Sequence, residues 1–276
     1  MRTLGGKVVV VTGAGSGIGR ALALQAADQD AVLALSDWDE AGLVETAQLV
    51  QARSVSAAGR VRTDKVDVRD RATMHDYAGS VRRELGRVNV VVNNAGVALH
   101  GDFEETSYED FEWVVDVDFW GVVHGTKSFL PHLIESGDGH LVNISSLFGL
   151  IGMPGQTAYN SAKFAVRGFT EALRQEMLIA RHPVQVTCVH PGGIKTRIAH
   201  NARATTSHDP AQVARHFDTK LARMTPDRAA EIIWSGVLAN RPRVVVGADA
   251  KALDWFVRLV GARYQRVFSL ARRLAP

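Results

Sequence analysis

Lys7-Val-Val-Val-Val-Thr12-Gly-Ala-Gly-Ser-Gly-Ile-Gly19 runs four valines into a turn dense in glycine. The valines read as a strand covered on both faces. The residues after Arg20 read as a helix. Side-chain-free positions between the two let the backbone turn sharply and bring a helix N-terminus against a phosphate. The spacing is G-x-x-x-G-x-G on Gly13, Gly17 and Gly19, because Ile18 and Arg20 break the G-x-G-x-x-G form. A glycine cluster alone also serves tight turns. Between a first strand and a first helix it points to a dinucleotide pyrophosphate, with Ser16, Gly17 and Ile18 as contacts.

The same alternation continues along the chain. Lys7–Thr12, Ala31–Ser36, Arg60–Val66, Val88–Asn93, His140–Ser145, Val184–His190 and Arg243–Val246 read as short strands. Between them lie helical stretches of about one to two dozen residues, the spacing of parallel crossovers. Seven such strands predict an α/β fold, a Rossmann-type doubly wound parallel sheet in a single domain over residues 1–250. Two stretches break the rhythm. Residues 194–225 are polar and long for a loop, and read as a substrate lid in which Phe217 and Leu221 are the apolar exceptions. Residues 251–276 mix apolar side chains with Arg258, Arg263, Arg266, Arg272 and Arg273, the pattern of an amphipathic helix. Packing against the body or a neighbouring subunit is the favoured reading of this tail, ahead of contact with a membrane surface.

Composition narrows the function classes. The 276 residues are 46% hydrophobic and 22% charged, which allows a sizeable core. A net charge of +3, with no basic run interleaved with aromatics in the body, gives no ground for a nucleic-acid partner. Ten histidines are scattered without an H-x-x-x-H pair, so no catalytic metal is expected. The single cysteine, Cys188, sits in an apolar run and reads as a small core residue. One cysteine, strand-like sequence close to the N-terminus and no apolar stretch long enough for a bilayer lead to a cytoplasmic expectation.

The second strand ends at Asp37. An acid there accepts hydrogen bonds from both hydroxyls of an adenosine ribose and repels a 2′-phosphate. Ser16 and Trp38 supply no cation for that phosphate, so NAD is expected over NADP. An aspartate before a helix also serves as a cap.

The reacting groups come later in the chain. Tyr159 and Lys163 are four apart on a helical pattern and share a face. An ammonium beside a phenol favours phenolate, and is expected to lower a pKa of about 10. Tyr159 then serves as general acid in reduction and general base in oxidation. Ser146, at the end of the fifth strand, can hydrogen-bond the substrate oxygen and stabilise a developing alkoxide.

Together these motifs resemble the short-chain dehydrogenase/reductase family from about residue 5 to 247. Thr12-Gly-x-x-x-Gly-Ile-Gly19 is similar to its cofactor turn, and Asp67-Val68 to its adenine-contacting pair. Asn93-Asn94-Ala95-Gly96 resembles its Asn-Asn-Ala-Gly motif. Pro191-Gly192, with Ile194 and Thr196, resembles the segment that holds the nicotinamide carboxamide. Tyr159-Asn-Ser-Ala-Lys163, with Ser146 thirteen residues upstream of Tyr159, fits its Y-x-x-x-K and serine. The resemblance implies that Tyr159 and Lys163 also touch the cofactor. It implies a homo-oligomer too, a tetramer or dimer built partly from helices around 109–134 and 157–178.

One position departs from the pattern. Asp118 stands where the family commonly has an Asn. An ionised Asp offers no donor, but a backbone carbonyl can still hold a relay water, and the charge can keep Lys163 protonated. Asp116 and Asp118 diverge on a helix and make a poor acid pair. Trp113 and Trp120, seven apart, have core or interface spacing. Leu147, Phe148, Leu150, Ile151 and Met153 border the expected cleft and suggest a lipophilic alcohol, aldehyde or ketone. The competing readings are a 3-oxoacyl thioester reductase, disfavoured by Asp37, and a non-catalytic NAD-binding sensor or scaffold.

Overall fold

A computed structural model describes residues 1–53 and 61–274 of the chain. Arg60 of the third expected strand and the last two residues of the tail lie outside the described residues. In chain order the strands are β1 (Val8–Thr12), β2 (Val32–Asp37), β3 (Val61–Lys65), β4 (Val90–Asn93), β5 (Leu99–His100), β6 (Gly139–Ile144), β7 (Val184–Pro191), β8 (Arg203–Ala204) and β9 (Arg243–Val246). The helices are α1 (Gly17–Ala27), α2 (Glu40–Arg53), α3 (Arg71–Leu85), α4 (Tyr108–Val115), α5 (Gly121–Glu135), α6 (Thr157–Ile179), α7 (Pro210–His216), α8 (Pro226–Leu238), α9 (Ala248–Val260) and α10 (Tyr264–Leu274).

Seven strands form one parallel sheet in the order β3-β2-β1-β4-β6-β7-β9. The chain begins at β1, winds outward to β3, then returns past β1 to build the other half. The reversal between β1 and β4 opens a crevice at the carboxyl ends of those strands, where ligands bind in open α/β sheets. The four valines of β1 show why the sheet is doubly covered. Val9 and Val11 face a core with α1, α2 and α8, whereas Val8 and Val10 face one with α3, α5 and α6. A strand buried on both faces must be apolar at every position.

Local chemistry sets the ends of the helices. Asp70 caps α3 by accepting from the Ala72 and Thr73 N–H groups at 2.8 and 3.1 Å, and Gly86 closes it at φ +78°. Between α4 and α5 the helix widens into a π turn over Asp116–Trp120. Such turns insert a residue into the helical register and re-aim side chains. Here the turn leaves Asp116 exposed and Asp118 fully buried, so the two acids do diverge.

The two irregular stretches differ from expectation. Residues 194–225 are not a structureless loop: they contain β8, α7 and a second π turn, Phe217–Leu221. β8 pairs with β5 in a separate two-stranded ladder, and Arg203 pairs with Asp110 at 2.7 Å while lying 3.9 Å over the Trp113 ring. The tail is two helices, α9 and α10, because Gly261 takes φ +56° and breaks the run. Trp120 is exposed rather than core, and stacks on His124. No helix among the described residues is long and apolar enough to cross a membrane.

Candidate active site

The glycine turn closes tightly against the end of β4. Gly13 has φ +66°, and a Cβ there would come within 2.7 Å of the Ala95 Cα. Asn94 ties the turn down, its side-chain amide donating to the Thr12 and Gly13 carbonyls at 3.0 and 3.1 Å. The Thr12 hydroxyl accepts from the Asn94 and Ala95 N–H groups in return. Ser16 sits at the N-cap of α1 without using its hydroxyl as a cap. The first N–H donors of that helix thus face a cavity lined by Ser16, Gly17, Arg20, Lys195, Thr196 and Arg197. A helix N-terminus flanked by cations fits a pyrophosphate.

Asp37 has two roles. Its carboxylate accepts from the Gly15 N–H at 2.7 Å and the Asp39 N–H at 2.9 Å, so it shapes the glycine turn as well as standing at the end of β2. Asp67 is paired with Arg69 at 2.6 Å, and that hydrogen bonding holds its carboxyl below the usual range. Val68 is buried against Gly121. Gly192 and Gly193 lie under α9, where the Gly193 N–H donates to Asp249 at 3.0 Å, and Ile194 is buried at an isolated bridge to Met224.

Ser146, Tyr159 and Lys163 converge beyond the end of β6. Ser146 begins a short 3-10 turn, Leu147–Gly149, and accepts from the Phe148 N–H at 3.1 Å. Its hydroxyl also favours the ionised form of the nearby Tyr159 phenol. The Lys163 ammonium stands 5.4 Å from the Tyr159 ring centroid and donates to the Ile144 carbonyl at 3.3 Å. Asp118 joins them from the π turn, with Oδ2 3.0 Å from Lys163 Nζ in a buried ion pair. Its Oδ1 accepts from the Val97 N–H at 2.7 Å. The Asp118 Oδ2 contact is close but off the axis of a hydrogen bond, and that atom has no other partner.

The electrostatics correct one expectation. Lys163 does pull the Tyr159 phenol down, but burial pushes it up by more and Asp118 adds to that, so its pKa lies above the ordinary phenol value. Removing a phenolate from water costs more than one buried cation returns when that cation is already paired. For Lys163, burial alone favours the neutral amine. Asp118 and Tyr159 outweigh it and hold the ammonium above the usual lysine range. Asp118 is pushed up by burial and pulled back by Lys163. The three groups form one coupled unit.

Several residues around this unit escaped the sequence reading. His190, fully buried at the end of β7, makes a 2.9 Å hydrogen bond to the Ser146 carbonyl. Burial pushes its pKa down to about 4, so the ring is neutral and Nδ1–H donates. Asn160 holds the following segment with three bonds, donating to Phe148 and Ile151 carbonyls and accepting from the Met153 N–H. The Ser145 hydroxyl bonds the Lys163 carbonyl at 2.8 Å. His190 adjoins Pro191-Gly192 and Asn160 adjoins Tyr159, but neither position alone signals its partner. Of the apolar residues after Ser146, Leu147, Leu150 and Ile151 are buried beneath α9 and α10. Phe148 and Met153 stay partly open, with Phe148 edge-on to Tyr159 at 6.1 Å.

The sequence profile of the family described as short chain dehydrogenase matches residues 7–207. The chain belongs to the short-chain dehydrogenase family. It is therefore an oxidoreductase, like its relatives. It is 55% identical over 267 residues to a Mycobacterium tuberculosis protein named as the oxidoreductase SadH, covering 97% of this chain and 95% of that one. It is 40% identical over 196 residues to epidermal retinol dehydrogenase 2 of Mus musculus, covering 71% and 62%. Among solved structures, a short-chain dehydrogenase/reductase from Burkholderia phymatum in complex with NAD superposes with a TM-score of 0.85. That match has 29% identity and covers 92% of this chain and 93% of the other.

Proposed function

We propose that this short-chain dehydrogenase uses NAD to interconvert a lipophilic alcohol and its ketone or aldehyde, with Tyr159 as acid/base. The convergence of Tyr159, Lys163 and Ser146 beside the glycine turn carries the reading. In oxidation Tyr159 takes the hydroxyl proton of the substrate, and in reduction it returns that proton to the forming alkoxide. Ser146 donates to the same oxygen, its carbonyl braced by His190. Lys163 stabilises phenolate at Tyr159 and reaches toward the cofactor ribose. Asp118 keeps Lys163 charged. When bound, NAD accepts or supplies the hydride.

Gly13, Ser16, Gly17, Ile18 and Gly19 would hold the pyrophosphate, and Asp67, Val68, Asn94, Ala95 and Gly96 the adenosine side and ribose. Pro191, Gly192, Ile194 and Thr196 would meet the carboxamide. Asp37 supports NAD over NADP because it adds a negative charge where a 2′-phosphate would lie; the NAD-bound relative agrees with that preference. Phe148 and Met153 supply apolar surface beside Tyr159, and the relative named as a retinol dehydrogenase supports a lipophilic substrate. Residues 194–225, tied to the body through β5–β8 and Arg203, serve as the lid. Exposed Trp120 and Phe164 on the helices named above support assembly into a homo-oligomer.

The test is NAD- and NADP-coupled turnover over alcohols and ketones of increasing chain length, with Tyr159→Phe beside the parent protein. Turnover that rises with chain length, favours NAD and vanishes in Tyr159→Phe supports the proposal. Equal turnover by Tyr159→Phe rejects the assignment of acid/base.

A further inference from the structure

The two tail helices have one face more than the fold consumes. Leu253, Val257, Tyr264 and Phe268 pack inward on Leu147, Leu150 and Ile151, and the Tyr264 hydroxyl accepts from the Gly152 N–H at 2.9 Å. The opposite face carries Trp255, Leu259, Val267 and Leu270, which are 67%, 79%, 50% and 58% exposed. Trp255 and Leu259 are four apart, one turn of α9, so they form a continuous apolar ridge.

Charge follows the same face. Residues 248–276 hold six Lys and Arg against Asp249 and Asp254, a net of +4, whereas the whole chain is +3, which leaves residues 1–247 at −1. Arg258 is paired with Asp254, but Lys251, Arg263 and Arg266 have no ion-pair partner among the described residues. A depression of about 280 Å³ lies beside Trp255, lined by Arg241 and Lys251 as well as Arg243 and Asp254. Two of its cations are likewise without an ion-pair partner.

We propose that this face of α9 and α10 docks on an anionic lipid surface, with Trp255 and Leu259 inserted among the acyl chains. Lys251, Arg263 and Arg266 then lie at the headgroups, and the depression beside Trp255 accepts a lipid phosphate. An apolar ridge flanked by cations is the form that binds in the interfacial plane, and tryptophan favours that depth. A second copy of this chain fits less well, because a two-fold contact sets the same basic tail against itself. The docked face lies behind Leu147, Leu150 and Ile151, so the membrane and the segment beside Tyr159 share one support. The inward face packs on the body, as the tail sequence favours, and the outward face is the one assigned to the lipid surface.

The experiment is vesicle co-sedimentation of the full chain, with neutral phosphatidylcholine vesicles and with vesicles containing roughly 30% phosphatidylglycerol. The parent protein is expected on the anionic vesicles and not on the neutral ones, with binding weakened by salt. Each basic residue near such a surface is worth roughly fivefold in partitioning, so Arg263→Gln with Arg266→Gln should lose roughly 25-fold. Trp255→Ser with Leu259→Ser should lose at least about tenfold through lost apolar insertion. Thermal melting checks that both variants stay folded. No binding to anionic vesicles, binding indifferent to lipid charge, or binding unmoved by Trp255→Ser with Leu259→Ser overturns the proposal. So does a fall in molar mass by light scattering in that variant without vesicle binding, which makes the face a contact between copies.

Discussion

Replacing Asp118 with Asn tests how the buried unit is held together. The substitution keeps the side chain's shape and leaves an oxygen to accept from the Val97 N–H, but removes the negative charge 3.0 Å from Lys163 Nζ. With an effective dielectric of about 20, unit charges at that separation attract by about 5 to 6 kcal/mol before desolvation. Removing one partner of a buried pair typically costs about 3–5 kcal/mol, because the other charge is left uncompensated. The low end applies here, since Lys163 keeps the Ile144 carbonyl as a partner. A loss of about 3 kcal/mol lowers Tm by roughly 6–12 °C for a chain of this size. The catalytic consequence has the opposite sense. Asp118 raises the Tyr159 phenol, so its loss lets phenolate form at lower pH. With Tyr159 as the acid/base proposed above, activity in alcohol oxidation is expected to rise with pH as the phenol ionises, and that rise should move to lower pH in Asp118→Asn. The assay is kcat/KM for oxidation across pH, paired with a melting curve. An unchanged Tm together with a rise that stays in place or moves to higher pH refutes the coupling. A large gain in kcat at every pH instead shows that Asp118 impairs the proton relay.

Tyr159→Phe should cut kcat by about 10²–10⁴ while leaving NAD binding, followed by ligand fluorescence, within a few-fold; retained turnover removes Tyr159 from the proton transfer. Asp37→Ser should shift the ratio of NADP to NAD efficiency by at least about tenfold toward NADP, since about 1.4 kcal/mol of repulsion suffices. An unchanged ratio assigns Asp37 only its bonds to Gly15 and Asp39. Acid stability gives the last test. Burial pushes His140 down to about 3 and His190 to about 4, against about 6.5 in the unfolded chain. Their contribution is complete above about pH 6.5 and is lost as pH falls, because the unfolded state binds the protons. Urea unfolding should lose roughly 2–3 kcal/mol between pH 6 and pH 5, and His190→Asn should remove about half of that slope. A flat dependence in the parent protein means that the two imidazoles are solvated.

Much of this was readable in order along the chain. Val8–Val11 could only be a doubly covered strand, and Gly13, Gly17 and Gly19 could only follow it as a turn. The position of Asp37 and the interval between Tyr159 and Lys163 are properties of single elements, so periodicity exposes them. The expected strand limits agree with the observed ones to within one or two residues over the described residues. What could not be read is whatever depends on elements distant in the chain. His190 reaches Ser146 across 44 positions, Asp249 reaches Gly193 across 56, and neither carries a local pattern. The π turn that buries Asp118 looks in sequence like an ordinary stretch of helix.

The sequence by itself determined the α/β sheet, the glycine turn, the family and which residue types are available for chemistry, because these follow from local period and spacing. Only the tertiary structure decided their electrical state. Lys163 is expected to lower the Tyr159 phenol, but the fold buries Lys163, draws Tyr159 partly out of water and spends much of the lysine's charge on Asp118, so the phenol rises instead. Likewise the tail's helical pattern was plain, whereas which of its faces remained free depended on where Leu147, Leu150 and Ile151 came to rest. Burial and pairing are sums over neighbours that come from every part of the chain, and those sums exist only once it has folded.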